Sequence, residues 1–120
     1  MYTFPEDEGV FLKFVGDSIS QVSLGPYQVH LSFENKANLN AEHKMEQTEP
    51  NGTIWGYNCQ NLADTAVILH RLLGKRITAI KREDLRLTFA FDDGASLSVL
   101  SELGPYESGN IGISGELIIF

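Results

Sequence analysis

The sequence predicts an α+β fold, mostly antiparallel β, made of two similar three- to four-stranded β units and one linking helix. The first observation behind this prediction is an internal repeat, which indicates that one structural unit occurs twice. Residues 15–41 align without a gap with residues 73–99 at a constant offset of 58 positions, so that Gly16 coincides with Gly74. The second observation is a period-two alternation of apolar and polar residues in each copy, which is typical of strands with one buried face.

The repeat organises a single domain over residues 1–120. The chain has 120 residues, of which 42% are hydrophobic, and this is too apolar for a disordered protein. One repeat alone would be too small to bury a core comfortably, so the two are expected to share one. We predict repeat 1 over about residues 12–57, a helix over about 62–73 and repeat 2 over about 74–120.

The strands follow from the alternation and from the turn residues between them. The triplet Asp92-Asp93-Gly94 is typical of a tight hairpin turn, because glycine readily adopts the positive φ that such turns require. Ahead of the first hairpin, Ile19 and Val22 lie three positions apart and break the alternation, and Ile77 and Ile80 do the same ahead of the second. A β-bulge in each strand, or a strand whose first apolar residue lies outside the ladder, would reconcile this spacing with a sheet. The predicted buried residues are Val29, Leu31 and Phe33 in repeat 1 and Leu85, Leu87, Phe89 and Phe91 in repeat 2.

One helix is predicted between the repeats, over Leu62–Leu73. Its apolar residues recur at helical spacing and form one stripe. Gly74 follows directly, at the position where glycine commonly ends a helix. A further strand is predicted after each hairpin, over Gly52–Tyr57 and over Gly115–Phe120.

The charge of the chain excludes one broad class of function. Sixteen acidic residues stand against 9 basic ones and give a net charge of −7, which argues against a general nucleic-acid binder because phosphate binding needs positive surface. Six of the nine basic residues lie between Arg71 and Arg86 with two acidic ones, so this segment carries +4 and the other 104 residues carry −11. The segment would suit an anion or an acidic face of another subunit, or it would consist of solvated charges; the sequence leaves these alternatives open.

The targeting features of the sequence predict a cytoplasmic protein without membrane contact. The N-terminal segment is acidic and lacks the basic and apolar regions of a signal peptide. No apolar run approaches the roughly 20 residues of a membrane span. The single cysteine, Cys59, excludes an internal disulfide framework and fits a reducing compartment.

Three short motifs carry a resemblance to a known group of proteins. Leu73-Gly74-Lys75-Arg76-Ile77 and Phe91-Asp92-Asp93-Gly94 resemble the Leu-Gly-x-x-Ile … Phe-Asp-Asp-Gly-x-x-Leu pattern of small bacterial proteins that form a domain of unknown function. Many of those proteins end with Tyr-Glu-Ser and an aromatic residue, whereas this chain has Tyr106-Glu107-Ser108 followed by Gly109. The resemblance implies a bacterial cytoplasmic domain and supplies no catalytic residues.

The sequence contains no recognisable catalytic, metal or cofactor motif. Its three histidines, His30, His43 and His70, include no pair at the i, i+4 spacing that places two metal ligands on one helix face. Cys59 is interpreted as a small semi-buried residue, because a reactive thiol would need a neighbouring base or positive charge. We therefore predict no metal, no cofactor and no catalytic residue, and favour a protein that is not an enzyme.

A ligand site is predicted where corresponding regions of the two repeats meet. Trp55 and Tyr57 lie after the hairpin of repeat 1, and Tyr106, Glu107 and Ser108 lie in the loop after the hairpin of repeat 2. Folds with internal symmetry often bind ligands at such junctions, so we expect these five residues to come together. Within the loop, we expect the Glu107 carboxylate to accept backbone N–H bonds and to fix the loop.

Two functions from different classes follow from these observations. The preferred one is a non-enzymatic acidic interaction module, immunity-like or regulatory, that covers a basic partner with acidic surface. The alternative is a small-ligand binder or weak enzyme with its site at the junction of the repeats. The expected partner is another protein or a second copy of this chain, since exposed edge strands must be covered or paired.

Overall fold

A computed structural model describes residues 2–120 as two five-stranded antiparallel sheets. The predicted mostly antiparallel β architecture is thereby confirmed. Within these residues, helical structure is confined to α1 (Glu8–Leu12) and to two 3₁₀ helices, Cys59–Asp64 and Leu69–Leu72. The strands are β1 (Ile19–Leu24), β2 (Val29–Phe33), β3 (Asn38–Ala41), β4 (Lys44–Thr48), β5 (Ile54–Asn58), β6 (Ile77–Arg82), β7 (Arg86–Phe91), β8 (Ser96–Leu100), β9 (Gly109–Ile113) and β10 (Glu116–Ile119).

Each sheet combines strands from both halves of the chain. The first sheet has the strand order β1-β2-β3-β9-β10, and the second has the order β5-β4-β8-β7-β6. The chain passes from the first sheet to the second between β3 and β4 and returns between β8 and β9. The predicted three- to four-stranded units are therefore not the sheets of the structure, which have five strands each and draw them from both segments, 12–57 and 74–120.

The two strands that exchange between the sheets, β4 and β9, are also the two that sequence patterns did not reveal. Strand β4 is polar, and its inward positions carry Met45 and the buried amide Gln47. Strand β9 begins with Gly109, where any Cβ would lie 2.1 Å from the carbonyl oxygen of Asn40. Glycine here permits the close approach of β3, although glycine weakens the strand signal in the sequence.

The predicted hairpin turn is confirmed, and each irregular strand contains a bulge, which is one of the two alternatives that the spacing left open. The register of β1 against β2 shifts between Ile19 and Gln21, and that of β6 against β7 shifts between Ile77 and Ala79. In the β7–β8 turn, Gly94 has a φ of 91°. The turn is reinforced by the Asp93 carboxylate, which accepts a hydrogen bond of 2.9 Å from the Ala95 N–H.

The predicted helix over residues 62–73 is wrong: two 3₁₀ helices stand there, with extended backbone at Thr65 (φ −115°, ψ 130°). The physical reason lies at Ile68, whose N–H donates to the Tyr57 hydroxyl and whose carbonyl accepts from the Gln47 amide, both at 3.2 Å. These tertiary bonds replace the helical ones, while Leu69 still reaches the core. Among residues 2–120, no helix is long and apolar enough to cross a membrane.

A single hydrophobic core lies between the sheets and contains side chains from both. Its centre is a group of three phenylalanine rings, in which Phe14 contacts Phe33 of β2 and Phe89 of β7 with centroid distances of 4.9 and 5.3 Å. At another point Phe4 stacks on Phe120 with a centroid distance of 4.5 Å. Aromatic packing therefore joins the two sheets and the N-terminal segment.

The sheets are also joined through main-chain bonds where β1 and β6 begin. The Gly16 N–H donates to the Ile77 carbonyl at 2.8 Å, and the Gly74 N–H donates to the Ile19 carbonyl at 3.0 Å. Nearby, the buried Asp17 carboxylate accepts a bond from the Ser18 N–H at 2.8 Å. The two halves of the chain thus hold each other in place at their entry into the sheets.

We expect separate halves of the chain to remain unfolded and to fold together when mixed. A cut in the extended backbone after Thr65 leaves a first fragment with β1–β5 and a second with β6–β10, so each sheet lacks strands from the other fragment. Small sheets that lack part of their core are unstable in water. Circular dichroism of each fragment and of the equimolar mixture measures this, and a native-like spectrum of either fragment alone would contradict it.

Candidate functional site

Trp55 and Tyr57, two of the predicted ligand-binding residues, lie on β5 at the edge of the second sheet. The Trp55 indole N–H donates to a carboxylate oxygen of Glu49 at 3.0 Å. The other oxygen of Glu49 accepts from the Arg71 guanidinium. The half-buried Trp55 ring is therefore held by contacts within the chain.

Tyr57 is buried, and its hydroxyl is part of a closed hydrogen-bond network. It donates to the Gln47 side-chain oxygen at 2.7 Å and accepts from the Ile68 N–H, while the Gln47 amide donates to the Ile68 carbonyl. Burial raises the pKa of Tyr57, and the bond from the Ile68 N–H opposes that rise. All the polar groups of the network are satisfied, which is the usual condition for polar atoms inside a core.

Tyr106, Glu107 and Ser108 lie in the loop between β8 and β9, and the structure gives them three different environments. The Tyr106 ring is 79% exposed, whereas Ser108 is buried. The Ser108 N–H donates to the Phe120 carbonyl, and its own carbonyl accepts from the Glu42 N–H at 2.8 Å. Within residues 2–120 the Glu107 carboxylate accepts no hydrogen bond, so its expected role of fixing the loop is wrong; the Ser108 backbone does so instead.

The five predicted residues are not joined by any hydrogen bond or ion pair in the described part of the chain. Trp55 and Tyr57 belong to the second sheet, while Ser108 immediately precedes a strand of the first. The hydrogen bonds of Trp55, Tyr57 and Ser108 go to other partners. A ligand site shared by the two segments stays a prediction.

The second sheet carries two open depressions, and Tyr57 helps to line one of them. One, of about 270 Å³, lies over β4 and β5, where Gly56 contributes no side chain. The other, of about 480 Å³, lies at the β6–β7 turn. Ligand sites usually enclose most of their ligand and converge a few polar groups on it, whereas both depressions are open. The first is lined by Lys44, Met45, Glu46, Gly56, Tyr57, Asn58 and Leu100, and the second includes His43, Glu83, Asp84 and Arg86.

Cys59 is fully buried at the end of β5, as a small structural residue would be. Its N–H donates to the His43 carbonyl at 2.9 Å. Burial raises the pKa of the Cys59 thiol to about 11, which is the opposite of the depression that a nucleophilic cysteine needs. In the part of the chain that the structure describes, no three His, Cys, Asp or Glu side chains are grouped in a way that could hold a metal ion.

The basic segment Arg71–Arg86 is largely neutralised by ion pairs within the chain. Only Lys75 and Arg76 of its six basic side chains make no ion pair with residues 2–120. Its positive charge is therefore mostly paired with carboxylates of the same chain. The pairs are Arg71–Glu49, Lys81–Glu83, Arg82–Asp84 and Arg86–Glu46.

Arg82 fixes the N-terminal segment against the β6–β7 turn. Its guanidinium donates to the carbonyl oxygens of Phe4 at 2.6 Å and Pro5 at 2.8 Å, and the Phe4 N–H donates to the Asp84 carbonyl at 2.9 Å. These bonds bring the exposed carboxylates of residues 6–8 close to those of the turn. We call this group the acidic N-terminal patch, and it consists of Glu6, Asp7, Glu8, Glu83 and Asp84.

Sequence reasoning missed the two polar side chains that organise these regions, Gln47 and Arg82. Both occupy inward or half-buried positions of strands. The available signal was the spacing of Met45 and Gln47, which places both on one face of a strand. This spacing is informative only once β4 is recognised as a strand. The polar composition of β4 prevents that recognition from the sequence.

Replacing Tyr57 by phenylalanine should destabilise the protein by about 1–3 kcal/mol, because it leaves the buried Ile68 N–H and the Gln47 oxygen without their partner. The matched control is Tyr27→Phe, since the Tyr27 side chain is 64% exposed. Urea unfolding measures both variants. A Tyr57→Phe protein as stable as the Tyr27→Phe control would contradict the structural role of this hydroxyl.

The Cys59 thiol should be unreactive in the folded protein. A pKa of about 11 in place of 9.0 lowers the thiolate fraction near pH 8 by roughly 100-fold, and burial blocks access further. Because the folded state holds the proton more tightly, this group supports the fold below pH 9.0 and loses that contribution as the pH rises through about 11. Labelling with a disulfide reagent at pH 8, with and without urea, is the measurement; equally fast labelling in both would refute the burial.

Comparison with known proteins finds no matching family model, no matching curated protein and no matching solved structure.

Proposed function

We propose that this chain is a non-enzymatic interaction module that presents acidic surface to a basic protein partner, as an immunity-like or regulatory protein does. The observation that carries the proposal is the distribution of ion pairs. Four basic side chains of the segment Arg71–Arg86 form ion pairs with carboxylates of the same chain. By contrast, Glu6, Asp7 and Glu8 have no basic side chain within ion-pair distance in residues 2–120. The excess negative charge is thus left free for a partner.

The net charge of −7 supports this assignment physically. A surface of one sign raises the rate at which partners of the opposite sign associate, and the effect weakens as salt screens the charges. In the acidic N-terminal patch, the main chain of Phe4 and Pro5 is fixed by Arg82, so the carboxylates that follow are presented from a defined position. Presentation from a fixed segment lowers the ordering cost of binding.

The non-enzymatic part of the proposal is supported by what the candidate reactive groups already do. The Tyr57 hydroxyl and the Trp55 indole are engaged in bonds within the chain. The raised pKa of Cys59 disfavours the thiolate that nucleophilic chemistry needs. The side chains of Trp55, Tyr57 and Cys59 therefore have structural roles.

An internal duplication forms part of the proposal. The offset of 58 positions relates Gly16 to Gly74 and Ile19 to Ile77, and these four residues make the reciprocal pair of main-chain bonds between the halves. Exchanging β1–β5 with β6–β10 converts the strand order of one sheet into that of the other. The same offset relates the two bulges, which supports two copies of one ancestral unit.

A bacterial cytoplasmic location also belongs to the proposal. It is supported by the resemblance of the Leu-Gly and Phe-Asp-Asp-Gly segments to bacterial proteins and by the single buried cysteine, Cys59. The alternative function, a small-ligand binder or weak enzyme, is favoured by one observation, the depression of about 270 Å³ that Tyr57 helps to line. It has less support, because the hydrogen bonds of the other predicted residues lead elsewhere.

The experiment is a pull-down from a bacterial lysate with three forms of the protein. The first is the unchanged chain, the second carries Glu6→Gln, Asp7→Asn and Glu8→Gln in the patch, and the third carries Glu34→Gln, Asp64→Asn and Asp92→Asn elsewhere. Both variants lose the same charge, so a specific effect of the patch separates from a general effect of net charge.

We expect a stoichiometric basic partner that the unchanged chain retains at low salt and releases at high salt. The patch variant should associate with it on the order of tenfold more slowly, while the control variant should be close to the unchanged chain. Absence of any stoichiometric partner at low salt would contradict the proposal, as would equal losses in the two variants.

A further inference from the structure

Strand β10 is an edge strand whose outward hydrogen-bonding groups have no partner within residues 2–120. Phe120 exchanges two hydrogen bonds of 3.1 Å with Gly109, so alternate residues of β10 turn their main-chain groups toward β9. The N–H and C=O groups of Leu117 and Ile119 therefore point away from the sheet. Such a row of free groups is a template for pairing with another strand.

The side chains at the same two positions are aliphatic and exposed. Leu117 is 69% exposed and Ile119 is 44% exposed. Natural edge strands are usually protected by charge, proline or a bulge. Strand β10 has none of these at its outward positions, because its single charged residue, Glu116, lies at the turn end.

The outer face of the first sheet behind β10 is uncharged except at one border, where the Asn40 amide donates to the Glu42 carboxylate, although the chain as a whole carries −7. Two cross-strand rows form this face, and within them neither a carboxylate nor a lysine or arginine occurs. Cores of protein interfaces are depleted of charged residues in the same way. The rows are Gln21-Ser32-Asn38-Gly112-Leu117 and Ser23-His30-Asn40-Asn110-Ile119.

The charge of the chain restricts where two copies can meet. Two bodies of −7 repel each other, so a contact between copies is favourable only where charge is sparse. The two uncharged rows and the β10 edge satisfy this condition. A contact there does not depend on opposite charge. A second copy, which has the same net charge, would not supply opposite charge.

We propose that β10 pairs with β10 of a second copy about a twofold axis at Ile118, which joins the two first sheets into one continuous ten-stranded sheet. This register places Leu117 opposite Ile119 of the other copy, and the reverse. The outward main-chain groups then form about four hydrogen bonds, and four exposed aliphatic side chains cover one another. The two Glu116 carboxylates lie about four residues, roughly 13 Å, apart along the strands. This distance exceeds the Debye length at physiological salt, so the repulsion between the two carboxylates is largely screened.

The other edge strands fit a second copy less well. Strand β5 directs Ile54, Gly56 and Asn58 outward, so a twofold axis at Gly56 would set Ile54 against Asn58. Its neighbour β4 also carries charged outward residues. Strands β1 and β6 each contain a bulge, which hinders further pairing.

The test compares two matched variants, Leu117→Lys on β10 and Ile54→Lys on β5. The two side chains are 69% and 66% exposed on edge strands, so neither substitution removes core packing. Sedimentation equilibrium from about 10 µM to about 1 mM measures the mass, a range that spans the affinity of a small interface. Amide hydrogen exchange at both ends of the range identifies the paired strand, and circular dichroism checks the fold.

For the unchanged chain and for Ile54→Lys, we expect the mass to rise from 13.3 kDa toward twice that value. The Leu117→Lys protein should stay at 13.3 kDa. The amides of Leu117 and Ile119 should become protected at high concentration, while those of Ile54 and Gly56 should not. A mass that stays at 13.3 kDa for the unchanged chain would overturn the proposal, and so would a dimer that Ile54→Lys abolishes and Leu117→Lys does not.

Discussion

The exchange of two strands between the sheets is the constraint on which the rest of the structure depends. Strand β9 completes the first sheet by pairing with β3, and β4 completes the second by pairing with β8. Neither sheet can therefore close over the core until both halves of the chain are present. Pairings this distant in sequence cost loop-closure entropy before they contribute stability, so a single cooperative unit is expected. The phenylalanine contacts among Phe14, Phe33 and Phe89 can form only within that unit.

Two polar side chains, the buried Gln47 and the half-buried Arg82, hold the irregular segments in place around this exchanged core. Gln47 on β4 bonds to the main chain at Ile68 and to the Tyr57 hydroxyl, and so fixes the connection between the halves. Arg82 on β6 bonds to the carbonyls of Phe4 and Pro5, and so fixes the N-terminal segment. A polar group inside a protein needs partners, and here the Gln47 amide and the Arg82 guanidinium find theirs in main-chain carbonyls of the irregular segments. Each bond thereby serves both the side chain and the backbone.

The surface separates into regions of different chemistry, and each suits a different kind of contact. In the acidic N-terminal patch, Glu6, Asp7 and Glu8 make no ion pair with residues 2–120, whereas Glu83 and Asp84 pair with Lys81 and Arg82, and the unpaired charge favours a basic partner. The outer face of the first sheet carries two rows of uncharged side chains that end in the exposed Leu117 and Ile119, which favours a second copy of the same charge. Contacts at the two regions would not compete, because the patch adjoins β6 in the second sheet. A dimer would then present the patch twice.

The sequence by itself determined much of the local structure of the hairpins: the alternation in β2 and β7, an irregularity after Ile19 and Ile77, and the turn at Gly94. These features depend on neighbouring residues, so neighbouring residues reveal them. Only the tertiary structure decided that residues 62–73 form no continuous helix, because the Ile68 main chain bonds to β4 and β5. It also decided the positions of β4 and β9, since Gln47 and Gly109 fit a strand only against their partners. The predicted site residues Trp55, Tyr57 and Ser108 bond to other parts of the chain for the same reason. Their hydrogen-bond partners depend on contacts between segments that are distant in the sequence, and residue spacing does not reveal such contacts.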